Sequence, residues 1–207
     1  MNPRRAIVVS LAVAAAVLGV LLAVATLRTD PSRPAFKAVD VTGVPWGKGF
    51  ELTDHHGRGR SLADFRGKVV TLFFGFTNCP DVCPTTMGKL AEAMRKMGPE
   101  AKDVQVLFVT VDPKRDTPEV LSKYVPAFHP GFLGLYADEA TTERTAKEFK
   151  IFFEAQAPHE HGSYTVAHST QVYVFDRVGR LRLLIKPEMS AEAVARDLGA
   201  LLREPAG

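Results

Sequence analysis

The sequence predicts an α/β domain, a central mixed sheet flanked by helices, preceded by one N-terminal transmembrane helix. Three observations predict it. An apolar run of 22 uncharged residues opens the chain, two later apolar runs of strand length are each followed by a helical pattern, and a hairpin with an amphipathic helix closes it.

The opening run is Ala6 to Leu27, bracketed by Arg4, Arg5 and Arg28. As a helix it would be roughly 33 Å long, enough for a hydrocarbon layer of about 30 Å. Arg4 and Arg5 keep residues 1–5 in the cytoplasm by the positive-inside rule, so a single pass through the cytoplasmic membrane puts the rest on the periplasmic or extracytoplasmic side. The alternative is a signal peptide cleaved after Ala23-Val24-Ala25, and either route delivers the domain to the same compartment. Residues 28–45, with Pro31, Pro34 and Pro45, read as a linker, and residues 46–207, from Trp46, as one domain.

Within that domain Phe50 to Thr53 suits a short strand and His55 to Gly59 a turn. Val69 to Gly75 (VVTLFFG) is apolar throughout, as a strand buried on both faces of a largely parallel sheet must be. Met87, Leu90, Ala91 and Met94 then recur at helical spacing, with Pro84 in the first turn. Val104 to Val111 (VQVLFVTV) is a second buried strand, and Thr117 to Tyr124 a helix with Pro118 and Glu119 in its first turn. Thr141 to Phe149 is helical with Ala146 and Phe149 on one face, and Ile151 to Phe153 is a short strand. Thr170 to Phe175 alternates as a strand, Asp176 to Gly179 turns, Leu181 to Ile185 pairs back, and Ser190 caps a helix that runs to Leu202.

Charge excludes one class of partner. The 26 Lys and Arg are scattered among 23 acids for a net +3, with no basic run or aromatic-interleaved basic face, so nucleic acid is not expected.

The two cysteines, Cys79 and Cys83, lie in the loop between a buried strand and a helix start. Free N–H groups and the helix dipole favour a thiolate there, so both are expected to ionise readily. A structural disulfide across so short a loop would add little stability. Two active readings stay open. Thiol-disulfide exchange suits the strand-Cys-helix context of a thioredoxin-like fold, although Pro80, Asp81 and Val82 make three intervening residues where redox motifs have two. Metal binding suits two soft thiolates completed by an imidazole, for Cu(I) or Zn(II).

His168 is the best-placed imidazole, because it precedes the strand Thr170 to Phe175, and in thioredoxin-like sheets that loop faces the cysteine loop. His159 and His161 flank Glu160 in a polar stretch and could form a second, weak metal-collecting site or a solvated loop. His55, His56 and His129 have no ligand partner at a diagnostic spacing. Asp112 to Asp116 follows the second buried strand at its carboxyl end, where it is either a turn in which Asp116 or Thr117 caps the next helix, or a docking or metal-tuning element.

The segments FGFTNCPDVCPTTM (Phe74 to Met87), TVDPKRDTP (Thr110 to Pro118) and YTVAHSTQVYVFDRVGR (Tyr164 to Arg180) together resemble the Sco/SenC family, copper-binding thioredoxin-like proteins that assist assembly of the dinuclear copper centre of cytochrome c oxidase. The resemblance implies that Cys79, Cys83 and His168 ligate copper, as Cu(I) or Cu(II), and that the partners are copper donors and the copper-bearing subunit of the oxidase. Ala167 departs from the acidic residue that family members often carry before the ligand histidine. The rival function is a thiol-disulfide oxidoreductase in which Cys79 and Cys83 reduce a partner's copper site. A peroxidase is a third reading, from Val82-Cys83-Pro84-Thr85, but Pro80 replaces the threonine expected three residues before the attacking cysteine.

Overall fold

In the computed structural model, residues 12–19, 35–156 and 164–205 are described. Residues 12–19 are helical, the remainder of the expected anchor over 6–27 lies outside the described residues, and among the described residues no helix is long and apolar enough to cross a membrane. The chain divides into two units, Met1–Ala35 and Phe36–Gly207, and the sheet belongs to the second.

Strand β4 (Val69–Gly75) is buried along its whole length because it has a neighbour on each side. On one side it pairs in parallel with β5 (Val104–Thr110), and β5 in turn with β6 (Leu133–Tyr136). On the other it pairs antiparallel with β9 (Val172–Phe175), which continues as a hairpin into β10 (Leu181–Ile185). With β1 (Val39–Asp40), β2 (Glu51–Asp54) and β3 (Gly59–Ser61) the sheet has eight strands in the order β1-β10-β9-β4-β5-β6-β2-β3. Parallel neighbours need a crossover, supplied by α1 (Val82–Met97) between β4 and β5 and by α2 (Pro118–Tyr124) between β5 and β6. α1 packs on the closing helix α4 (Ala191–Arg203), which also reaches β4, and α2 packs on β6. This is the mixed, helix-flanked thioredoxin-like sheet that the sequence leads one to expect.

Three differences from expectation have local causes. The domain begins before Trp46: Val39–Asp40, inside the segment read as a linker, pairs with β10, and Ala38 is buried. Two residues are too few to show a period. β6 (LGLY) escapes sequence reading because a glycine interrupts its four residues. Finally, the short strand after α3 (Glu139–Glu148) is β7 (Phe153–Ala155), and it pairs with β8 (Val166–His168) in a separate two-stranded sheet. His168 therefore ends a strand rather than lying in a plain loop.

Helix caps follow the sequence. Ser190 Oγ accepts from Ala193 N at 3.2 Å, and Thr117 Oγ1 from Val120 N at 3.4 Å. Thr117, not Asp116, caps α2, which leaves Asp116 free for another role.

Candidate metal centre

The register of β9 on β4 builds the site. Phe73 is paired with Val172 in antiparallel sense, so residues before Val172 run past the carboxyl end of β4, where the chain turns into the cysteine loop. That brings His168 to Cys83 across 85 residues of sequence, with Nε2 3.4 Å from Sγ. Cys79 Sγ, Cys83 Sγ and a ring nitrogen of His168 all lie within 4.8 Å of one another.

Cys79 is in the loop and half-buried, while Cys83 is in the first turn of α1 and fully buried. The backbone N–H of Cys83 points at Cys79 Sγ, at 3.5 Å, as a free N–H at a helix start can. Gly75 makes room for the buried sulfur: a Cβ there would stand 2.8 Å from Cys83 Sγ and 2.9 Å from the Phe108 ring.

The expectation that both thiols ionise readily fails at Cys83. Burial pushes its thiol far above the ordinary range, a backbone hydrogen bond from Phe76 only partly opposes this, and a charge on Cys79 would raise it further. Desolvation beside a second sulfur outweighs the one backbone hydrogen bond that would favour the thiolate.

His168 is prepared as a nitrogen donor. Its Nδ1–H donates to the carbonyl of Ser169 at 2.8 Å, which leaves the lone pair on Nε2, the nitrogen that faces Cys83. Burial holds its pKa below the usual histidine value and keeps the ring neutral, against the smaller opposing effect of the Ser169 bond. The rings of Phe73 and Phe76 stand edge-on to it, at 6.1 and 5.8 Å between centroids. The alanine at position 167 thus costs the imidazole no hydrogen bond on this side, since a backbone carbonyl orients it.

The donor set fits a soft metal ion. Metal bonds of about 2.3 Å to sulfur and about 2 Å to nitrogen set donor spacings on the order of 4 Å around a common centre. The spacings here, from 3.4 Å up to 4.8 Å, need only small side-chain adjustment. Tyr124 adds a buried hydroxyl without a hydrogen-bond partner, its pKa raised by burial and by the charges of Cys83 and Cys79.

Asp116 holds the cysteine loop. Its carboxylate accepts from Thr77 N at 3.0 Å, Thr77 Oγ1 at 2.6 Å and Thr110 Oγ1 at 2.6 Å, and burial raises its pKa against those bonds. Asp112 instead accepts from the Tyr164 hydroxyl at 2.7 Å and pairs with Arg115. Sequence reading placed this loop, Arg115 included, near the site but gave no role to Thr77 or Tyr164, whose roles depend on contacts between distant segments. The remaining histidines are structural where described. His55 Nδ1 accepts from Gly134 N at 3.0 Å, and its ring meets that of His56; His129 Nδ1 accepts from Gly131 N at 3.1 Å. His159 and His161 lie outside the described residues.

Comparison with known proteins agrees with this geometry. The SCO1/SenC family model matches residues 41–203. The mitochondrial SCO2 homolog of Bos taurus is 39% identical over 147 residues, which cover 70% of this chain but only 55% of the bovine protein. Thermus thermophilus Sco1, solved in the apo state, is 41% identical with a TM-score of 0.71, covering 82% of this chain and 99% of that one. Bradyrhizobium japonicum ScoI, solved with copper bound, is 35% identical with a TM-score of 0.69, over 74% of this chain and 98% of that one. With a family match over most of its length and a thioredoxin-like fold that gathers two cysteines and a histidine beyond the carboxyl end of β4, the chain belongs to the SCO1/SenC family.

Proposed function

We propose that this protein is a copper metallochaperone that assists assembly of the dinuclear copper centre of cytochrome c oxidase. Cys79 and Cys83 bind the metal as thiolates, His168 binds it through Nε2, and the half-buried Cys79 is where an incoming or outgoing ligand exchanges. In this reading residues 6–27 anchor the protein in the cytoplasmic membrane, and the domain works on the periplasmic or extracytoplasmic side with copper donors and the copper-bearing oxidase subunit as partners. The observation that carries the proposal is the meeting of three metal-donor atoms within 4.8 Å, with Nε2 freed by the Ser169 carbonyl. Copper-bound relatives of the same fold support it.

The test is titration of the reduced protein with Cu(I) against a competing chelator, beside His168→Ala. One copper per chain is expected, with affinity falling on the order of tenfold or more in the variant. Absence of binding, or equal affinity in the variant, overturns the proposal.

A second reading is favoured by the closeness of the two sulfurs: a dithiol that reduces the cysteines of a partner copper site. His168→Ala separates the two. Reduction of a model disulfide should survive the substitution, whereas copper transfer should not.

A further inference from the structure

His168 is carried by a strand that the main sheet does not hold. Among the described residues β7 and β8 pair only with each other, and the bonds closing their end, Ser169 N to Phe152 O at 3.0 Å and Phe152 N to Ser169 Oγ at 3.1 Å, stay within the pair. The register of β9 on β4 brings the His168 end of β8 to the sulfurs, and a second set of contacts holds its other end.

The loop after β5 provides these contacts. The Tyr164 hydroxyl, four residues before His168, donates to Asp112 Oδ1 at 2.7 Å. Arg115 pairs with the other oxygen of Asp112, donates from Nη1 to the Tyr164 carbonyl at 2.8 Å, and lies over the Tyr164 ring at 3.6 Å. Two hydrogen bonds and a cation–π contact thus converge on Tyr164 at the foot of β8, and the ion pair joins the two residues that make them. The same guanidinium is 5.8 Å from the Phe76 ring, which in turn edges His168.

The loop also reaches the cysteines. Asp112 N donates to Thr110 Oγ1 at 2.9 Å, Thr110 Oγ1 donates to Asp116, and Asp116 accepts both donors of Thr77, two residues before Cys79. Each carboxylate of the loop therefore grips one half of the site.

We propose that Asp112, Arg115 and Tyr164 are positioning residues: they clamp the β7–β8 pair to the loop that also anchors the cysteines, and so set the distance between His168 and the two sulfurs. The proposal rests on the reading that Cys79, Cys83 and His168 bind copper. None of the clamp residues is itself a ligand; they act through His168.

The experiment compares wild type, Tyr164→Phe and Arg115→Lys, each also combined with His168→Ala. Tyr164→Phe keeps the ring beneath Arg115 and loses only the hydroxyl, and Arg115→Lys keeps the charge and loses the fork. Both should weaken Cu(I) binding on the order of tenfold and broaden the nitrogen coupling in the Cu(II) spectrum, with the unfolding midpoint little changed. In the His168→Ala background neither should weaken binding further, because the histidine they position is gone. Equal losses in both backgrounds, or unchanged nitrogen coupling, overturn the clamp. If His168→Ala itself leaves affinity intact, it is the ligand reading that fails. The clamp then stands or falls on the metal-free protein, where Tyr164→Phe should speed amide exchange across Val166–Ser169 on the order of tenfold and leave β4 and β5 unchanged; equal rates in Val166–Ser169 reject it.

Discussion

Cys83 has to lose a proton before its sulfur can bind a metal, and its burial opposes that loss. Copper(I) uptake should therefore release at least one proton per metal and weaken as pH falls, which a pH-indicator titration measures directly. For the same reason iodoacetamide should modify Cys79 faster than Cys83 in the metal-free protein, as peptide mapping would show. Gly75 is the other residue on which the sulfur's place depends. In Gly75→Ala the new methyl would stand 2.8 Å from Cys83 Sγ, so the sulfur or the helix start has to move. A loss of about 1–3 kcal/mol in unfolding free energy is expected, with a shifted thiolate-to-copper absorption band in the loaded protein. That Cys79 and Cys83 share the loop before a helix was legible from their positions, whereas His168 stood out only by analogy with thioredoxin-like sheets, in which its loop faces the cysteine loop. The raised thiol pKa was not legible, since it depends on how deep α1 packs.

Elements differ in how plainly their sequences announce them. β4 and β5 are seven-residue apolar runs and can be read directly. β6 and β8, of four and three residues, take their conformation from neighbours and show no period of their own. Where β2 ends against β6, His55 joins them by accepting the Gly134 N–H at Nδ1, a bond that a doubly protonated ring cannot accept. Burial, aided by the neighbouring His56 and opposed by Asp54, lowers the His55 pKa below 6.5. With fewer protons bound in the folded than in the unfolded state, its stabilisation is complete above pH 6.5 and is lost as pH falls below that value toward the folded pKa. The unfolding midpoint of the metal-free protein should thus drop between pH 7.5 and 5. His55→Asn, whose Oδ1 can accept the same N–H without titrating, should drop less, with His168 contributing to the slope that remains.

Across the whole molecule, the two ends of the Phe36–Gly207 unit are tied together. The buried carboxylate of Asp197 in α4 accepts from Lys37 N and Ala38 N, each at 2.7 Å, directly before β1 joins β10 at the sheet edge. Asp197→Ala removes both bonds and should cost about 2 kcal/mol in a denaturant titration, with amide protection lost first over residues 37–41. This contact spans some 160 residues, and no local pattern in residues 28–45 announces it, which is why that stretch reads as a linker. The amino-acid order by itself determined the buried strands, the caps at Thr117 and Ser190, and a supply of two thiols and an imidazole suited to a soft metal. Only the tertiary structure decided that these donors meet, which nitrogen of His168 faces the sulfurs, and that Tyr164 is gripped by the loop after β5. The reason is physical: local periodicity records burial and helix ends, whereas the meeting of residues 85 apart depends on β9 inserting antiparallel beside β4, a pairing stabilised only once the sheet around it has formed.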